Sequence, residues 1–209
     1  SAQGMKVGST DIRDYKNSVI SILGDTKCAL YSNNITHINF DGVGDGLLSS
    51  GVTDVMPSTG WCFSFVAKIN GYSLATAYST IFTDNIYGTA NFNFYINFSG
   101  FITPFLRTVS YTATIAADTS NVAHYCFDFD GTTLRSFKNG ILQGSCAFSG
   151  NTNIVPTFGI MFANSLGTNA KLYSMEIVKK SKYTSNFKVD PSNPYFPVQE
   201  TCVDVWVDP

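Results

Sequence analysis

From Ile35 onward the apolar residues recur at every second position, the period of a strand that buries one face and turns the other outward. Trp61, Phe63, Phe65, Ala67 and Ile69 alternate with Cys62, Ser64, Val66 and Lys68. Phe92, Phe94, Ile96 and Phe98 alternate with Asn91, Asn93, Tyr95 and Asn97, and Ile38 and Phe40 stand against His37 and Asn39. A helix cannot collect such residues on one side, because its faces repeat at three and four. The chain therefore reads as all-β.

Turn chemistry orders these strands. Asp130-Gly131 separates Tyr125–Phe129 from Leu134–Lys138, and Asn139-Gly140 separates that run from Ile141–Phe148. Asx-Gly pairs supply the positive backbone angles of tight hairpins, so three consecutive antiparallel strands are expected. Phe158–Phe162 and Lys171–Val178 add two more. Thr10 to Leu23 is the one stretch that admits a helix, with Thr10 as cap and Ile12, Tyr15, Val19 and Ile22 in helical spacing. Its Val19-Ile-Ser-Ile-Leu23 reads equally well as a strand. Beyond Asp190, Pro191, Pro194 and Pro197 lead into an extended Thr201–Val207, suited to an edge strand. The organisation expected is an N-terminal connecting segment over 1–34, a sandwich domain over 35–189, and an extended tail over 190–209 that packs on it.

Composition narrows the partners. The 209 residues suit one all-β domain, and the formal net charge of −2 offers no basic surface for nucleic acid. No apolar run reaches the ~20 residues needed to cross a bilayer. Ser1 to Val7 lacks the pattern of a signal peptide, and Ser1–Gly4 ahead of Met5 reads as a tag remnant. Cys28, Cys62, Cys126, Cys146 and Cys202 form no CxxC pair, and their odd count favours reduced thiols and folding in the cytoplasm. Cys62 and Cys126 fall in strand-like runs, where cysteine acts as a small buried apolar group.

In sequence order the strand and turn signals resemble the concanavalin A-like lectin/glucanase superfamily, in particular its laminin G-like jelly-roll branch. The likeness runs through Ile38-Asn-Phe-Asp-Gly-Val-Gly-Asp45 and Gly60-Trp-Cys-Phe-Ser-Phe-Val-Ala-Lys68. It continues in His124-Tyr-Cys-Phe-Asp-Phe-Asp-Gly-Thr-Thr-Leu-Arg-Ser-Phe-Lys-Asn-Gly140, Phe158-Gly-Ile-Met-Phe162 and Ala170-Lys-Leu-Tyr-Ser-Met-Glu-Ile-Val178. It implies a two-sheet antiparallel β-sandwich, a concanavalin A-like jelly roll. Function it leaves open, because lectins, hydrolases and adhesion modules share the fold.

The glucanase branch places paired glutamates on one strand, and retaining hydrolysis needs two carboxyl groups about 5 Å apart. Here the only glutamates are Glu176 and Glu200, outside any such motif. Asp128 and Asp130 stand two apart, but a turn role for Asp130 and a solvated-face role for Asp128 explain them better. His37 and His124 have no nucleophile context. Asp41 and Asp45 flank a glycine pair and are the candidate ligands for calcium, with Asp54 or Asp84 approaching from other loops; turn geometry accounts for them without a metal.

Sugar recognition needs an aromatic platform among amide and hydroxyl groups. Asn91, Asn93, Tyr95 and Asn97 supply that face on one strand, with Tyr87 before it and Arg107 and Tyr111 after it. The expected function is a non-catalytic, lectin-like carbohydrate-binding module, with Tyr87, Asn91, Asn93, Tyr95, Arg107 and Tyr111 as ligand-binding residues. Its reduced cysteines and Asn/Ser/Thr-rich surface suit the host-glycan-binding part of a viral or phage appendage. The alternatives are a structural module of a virion or other particle, binding a protein partner or its own copies, and, behind both, a glycoside hydrolase.

Overall fold

In the computed structural model the described residues are 11–13, 19–23, 27–31, 34–42, 46–49, 56–72, 78–83, 92–106, 109–148, 159–160, 168–189 and 205–207. In chain order the strands are β1 (Asp11–Arg13), β2 (Val19–Leu23), β3 (Lys27–Tyr31), β4 (Asn34–Phe40), β5 (Gly46–Ser49) and β6 (Trp61–Tyr72). There follow β7 (Tyr78–Thr83), β8 (Phe92–Asn97), β9 (Phe101–Leu106), β10 (Val109–Ser110), β11 (Ile115–Ala116) and β12 (Ala123–Phe129). The last are β13 (Thr133–Lys138), β14 (Ile141–Ala147), β15 (Gly159–Ile160), β16 (Thr168–Val178) and β17 (Val205–Val207).

They form two sheets. One runs β1-β2-β5-β15-β7-β8-β9-β10 with β11 also on β9, and the other β14-β13-β12-β6-β16-β4-β3 with β17 on β16. Pairing is antiparallel except for β17, which lies parallel to β16. No helix occurs among the described residues, so none is long and apolar enough to cross a membrane. Where Thr10 to Leu23 admitted a helix, Asp11–Arg13 and Val19–Leu23 are strands paired with each other. The β-branched Val19-Ile-Ser-Ile run fits a strand, and pairing with β1 and β5 decides between the two periods.

The sheets stack face to face through aromatic rings. In the register of β12 on β6, Phe129 opposes Trp61, Phe127 opposes Phe63 and Tyr125 opposes Phe65. Across the gap, Phe63 meets Phe82 and Phe94 with ring centroids 4.7 Å away in each case, and Phe94 meets Phe127 at 4.8 Å. All are fully buried. Burying each such side chain contributes about 1.5–3 kcal/mol, and ring-to-ring packing adds to it. This is the β-sandwich that the alternation implied.

Both Asx-Gly hairpins form. Gly131 has φ +95°, and Asn139 and Gly140 have φ +50° and +76°, the left-handed pair of a type I′ turn. Asp130 belongs to its turn: Oδ1 accepts the N–H groups of Thr132 and Thr133, and Oδ2 takes Arg135 at 2.7 Å. Burial raises its pKa, but the hydrogen bonds from Thr133, Arg135 and Thr132 outweigh that and hold it well below the usual carboxylate range.

Asp128 does not lie on a solvated face. It is fully buried, because residues 179–189 cross the outer face of the eight-stranded sheet as a strap. Beneath it Cys62, Cys126 and Phe137 form a second apolar cluster with Tyr183 and Phe187. Both cysteines are free thiols, with Sγ atoms 3.5 Å apart, and Cys146 is also free. Burial, then the neighbouring Cys126, pushes the Cys62 thiol well above its ordinary pKa, as suits a small apolar core group.

Candidate ligand face on the nine-stranded sheet

Strand β8 turns Phe94 and Ile96 into the core, so Asn93, Tyr95 and Asn97 face away from it. Registers with β7 and β9 surround these residues with hydroxyls. Tyr95 is flanked by Thr80 and Thr103, and Asn93 by Thr83 and Phe105, with Ser110 beyond Phe105. The β7 bulge after Thr80 sets this register, keeping both Thr80 and Thr83 on the outer face.

The amides differ sharply in what they do. Asn97 closes the β8–β9 turn: its Oδ1 accepts the N–H groups of Ser99 and Phe101, both at 3.0 Å, and its Nδ2 donates to Thr103 Oγ1 at 3.3 Å. Asn93 is 9% exposed, and its buried Oδ1 has no hydrogen-bond partner among the described residues. An unsatisfied buried acceptor costs about 1–3 kcal/mol. Tyr95 is half-buried, with its hydroxyl 3.0 Å from Ser110 Oγ. Buried Thr80, Thr83 and Thr103 complete the rows, and none of these side chains is charged.

Of the other sequence candidates, Tyr111 packs edge-on against Phe148 with centroids 4.9 Å apart and partly seals the core. Tyr87, Asn91 and Arg107 lie outside the described residues, as does Asp45. Asp41 is exposed, and its backbone carbonyl accepts Asn169 Nδ2 at 3.1 Å. No group of three or more His, Cys, Asp or Glu side chains gathers as a metal site among the described residues. Glu176 is paired with Lys182 at 2.9 Å. The framing threonines and Ser110 were missed in the sequence, since their place depends on cross-strand register. Their hydroxyls, the Asn93 amide and the Tyr95 ring make this an uncharged face lined with hydrogen-bonding groups.

No protein-family model and no curated protein matches the chain. Solved structures do. One is of botulinum neurotoxin type C, whose cell entry is dependent upon interaction with two ganglioside molecules. It superposes with a TM-score of 0.59 at 13% identity, over 84% of this chain and 48% of that one. The binding domain of Paraclostridial Mosquitocidal Protein 1 gives 0.64 at 7%, over 84% and 48%. Trypanosoma rangeli sialidase in complex with sialic acid gives 0.53 at 10%, over 84% and 30%. The chain thus spans less than half the length of each. At these identities the likeness is one of fold, and the fold is a β-sandwich shared with parts of toxins and a glycosidase.

Proposed function

We propose that the chain is a non-catalytic carbohydrate-binding module of the concanavalin A-like, laminin G-like kind, taking a glycan on the outer face of its nine-stranded sheet. The observation that carries this reading is the buried, partnerless Oδ1 of Asn93 among rows of hydroxyls. A sugar hydroxyl donating to that oxygen would recover the lost hydrogen bond. Neighbours that include a toxin with ganglioside-dependent entry and a sialidase bound to sialic acid support the same ligand class. Asn93 and Tyr95 are the centre of the proposed site, with Tyr87, Asn91, Arg107 and Tyr111 at its margin and no calcium required. The test is glycan-array binding with Asn93→Ala and Tyr95→Ala alongside the wild type. Retention of a defined glycan set, lost in both variants, is expected; a blank array counts against the reading.

A viral or phage appendage remains the proposed setting, supported by composition alone. The alternative, an assembly module, is favoured by β14, a sheet edge on which Ile141 is 52% and Leu142 41% exposed. Light scattering separates the two: a monomer at all concentrations speaks against assembly through that edge.

A further inference from the structure

The tip of the β8–β9 hairpin is built to hold two aromatic rings in solvent. Phe98 is 71% exposed and Phe101 41%, although a turn is where polar residues cost least. The backbone that carries them is tightly fixed. Besides the Asn97 side-chain bonds, Gly100 N–H donates to Asn97 O at 2.9 Å, and Ala117 N–H donates to Gly100 O at 2.9 Å. Gly100 itself has φ +81°, and a β-carbon there would stand 2.6 Å from the Tyr72 hydroxyl oxygen. Glycine suits this left-handed turn, and its missing side chain leaves room for the Tyr72 hydroxyl. Tyr72 is itself half-buried, packed against the core. Two residues back along β6, exposed Asn70 gives one N–H to Asn169 Oδ1 at 3.0 Å.

The hairpin and its approaches are uncharged: residues 85–106 contain no Asp, Glu, Lys or Arg. Nothing in that stretch attracts an anionic surface or an acidic ligand. Exposed rings on a rigid turn, a tyrosine hydroxyl against it and an amide carbonyl nearby suit a neutral pyranose. Its C–H face packs on a ring while its hydroxyls meet the polar groups. The turn is already ordered, so little further entropy is lost on binding.

We infer that the Phe98–Phe101 hairpin tip, with the Tyr72 hydroxyl, is a second sugar-contact site for neutral pyranoses, separate from the sheet face. It shares the ligand class of the function proposed above, but rests on different residues. The test is an amide NMR titration with methyl β-galactopyranoside and methyl β-glucopyranoside, using wild type, Phe98→Ser, Tyr72→Phe and Asn93→Ala. One sugar is expected to shift Ser99 and Gly100, with apparent affinity weakened roughly tenfold in Phe98→Ser and less in Tyr72→Phe. Asn93→Ala leaves the tip shifts intact, so failure at the tip and failure at the sheet face are read separately. Absence of tip shifts with both sugars, or tip shifts unaltered in Phe98→Ser, overturns the inference. So does cosedimentation with phosphatidylcholine vesicles that is lost in Phe98→Ser, which would make the tip a membrane contact.

Discussion

The Oδ2 oxygen of Asp128, buried near the C-terminal end of β12, accepts the backbone N–H of Lys182 at 2.6 Å. The same oxygen takes Tyr183 N–H at 3.1 Å, and Oδ1 takes the Ser181 hydroxyl. One carboxylate thus pins the strap over Cys62, Cys126 and Phe137. Above them the Tyr183 and Phe187 rings stack with centroids 3.7 Å apart.

Replacing Asp128 by Ala removes the acceptor and leaves two strap N–H groups without it, at an expected cost of about 3 kcal/mol. Asp128→Asn keeps an oxygen for both N–H groups and offers an N–H to Ser181. It is expected to stay within about 1 kcal/mol of wild type in urea unfolding. Equal loss in the two variants would show that charge, not acceptor geometry, holds the strap.

His124 lies under the strap, its ring edge-on to Phe187 at 5.7 Å. Burial, then Lys182, pushes its pKa down to about 3 from 6.5. The unfolded chain therefore binds this proton more readily. The stabilising contribution is complete above pH 6.5 and is lost as pH falls toward 3, on the order of 5 kcal/mol. Asp128 has the opposite sign. Burial raises its pKa against the strap hydrogen bonds, so its contribution is greatest below the unfolded value and declines as pH rises through the folded one. Stability measured from pH 7 to 4 should fall in wild type, less steeply in His124→Leu and more steeply in Asp128→Asn.

Glycines offer an internal control on the hairpins. A β-carbon on Gly140, at φ +76°, would collide with the backbone carbonyl of Phe187, whereas one on Gly71 meets nothing within 4 Å. Gly140→Ala is expected to cost more than about 2 kcal/mol and to loosen the strap. Gly71→Ala should change stability by less than about 0.5 kcal/mol. Thermal melts of the two variants check this.

The sandwich was legible because alternation and Asx-Gly turns are local signals. Trp61 through Ile69 turn their odd-numbered residues into the core as read, although Cys62, Ser64 and Val66 on the other face are buried too, and Asn139-Gly140 makes its turn. Asp128 was misread because alternation shows which residues leave the core, not what then covers them; the cover is a strap more than fifty residues later in the chain. The proposed ligand face was legible in part. Asn93, Tyr95 and Asn97 share the expected side of β8, but sequence could not separate Asn97, consumed by its turn, from Asn93, left without a partner. That distinction depends on three-dimensional register with Thr83 and Phe105.

On the proposed reading, a buried acceptor without a partner is a burden on the free protein. Asn93→Ala is therefore expected to leave the melting temperature unchanged or to raise it. A drop of several degrees would instead assign Asn93 a structural role.

Isothermal titration of the strongest array glycan into wild type and Asn93→Ala tests the central claim most directly. The account predicts a saturable wild-type isotherm and affinity weakened about tenfold or more in the variant, about 1.4 kcal/mol, with the fold intact. Equal affinity in the two proteins would contradict it.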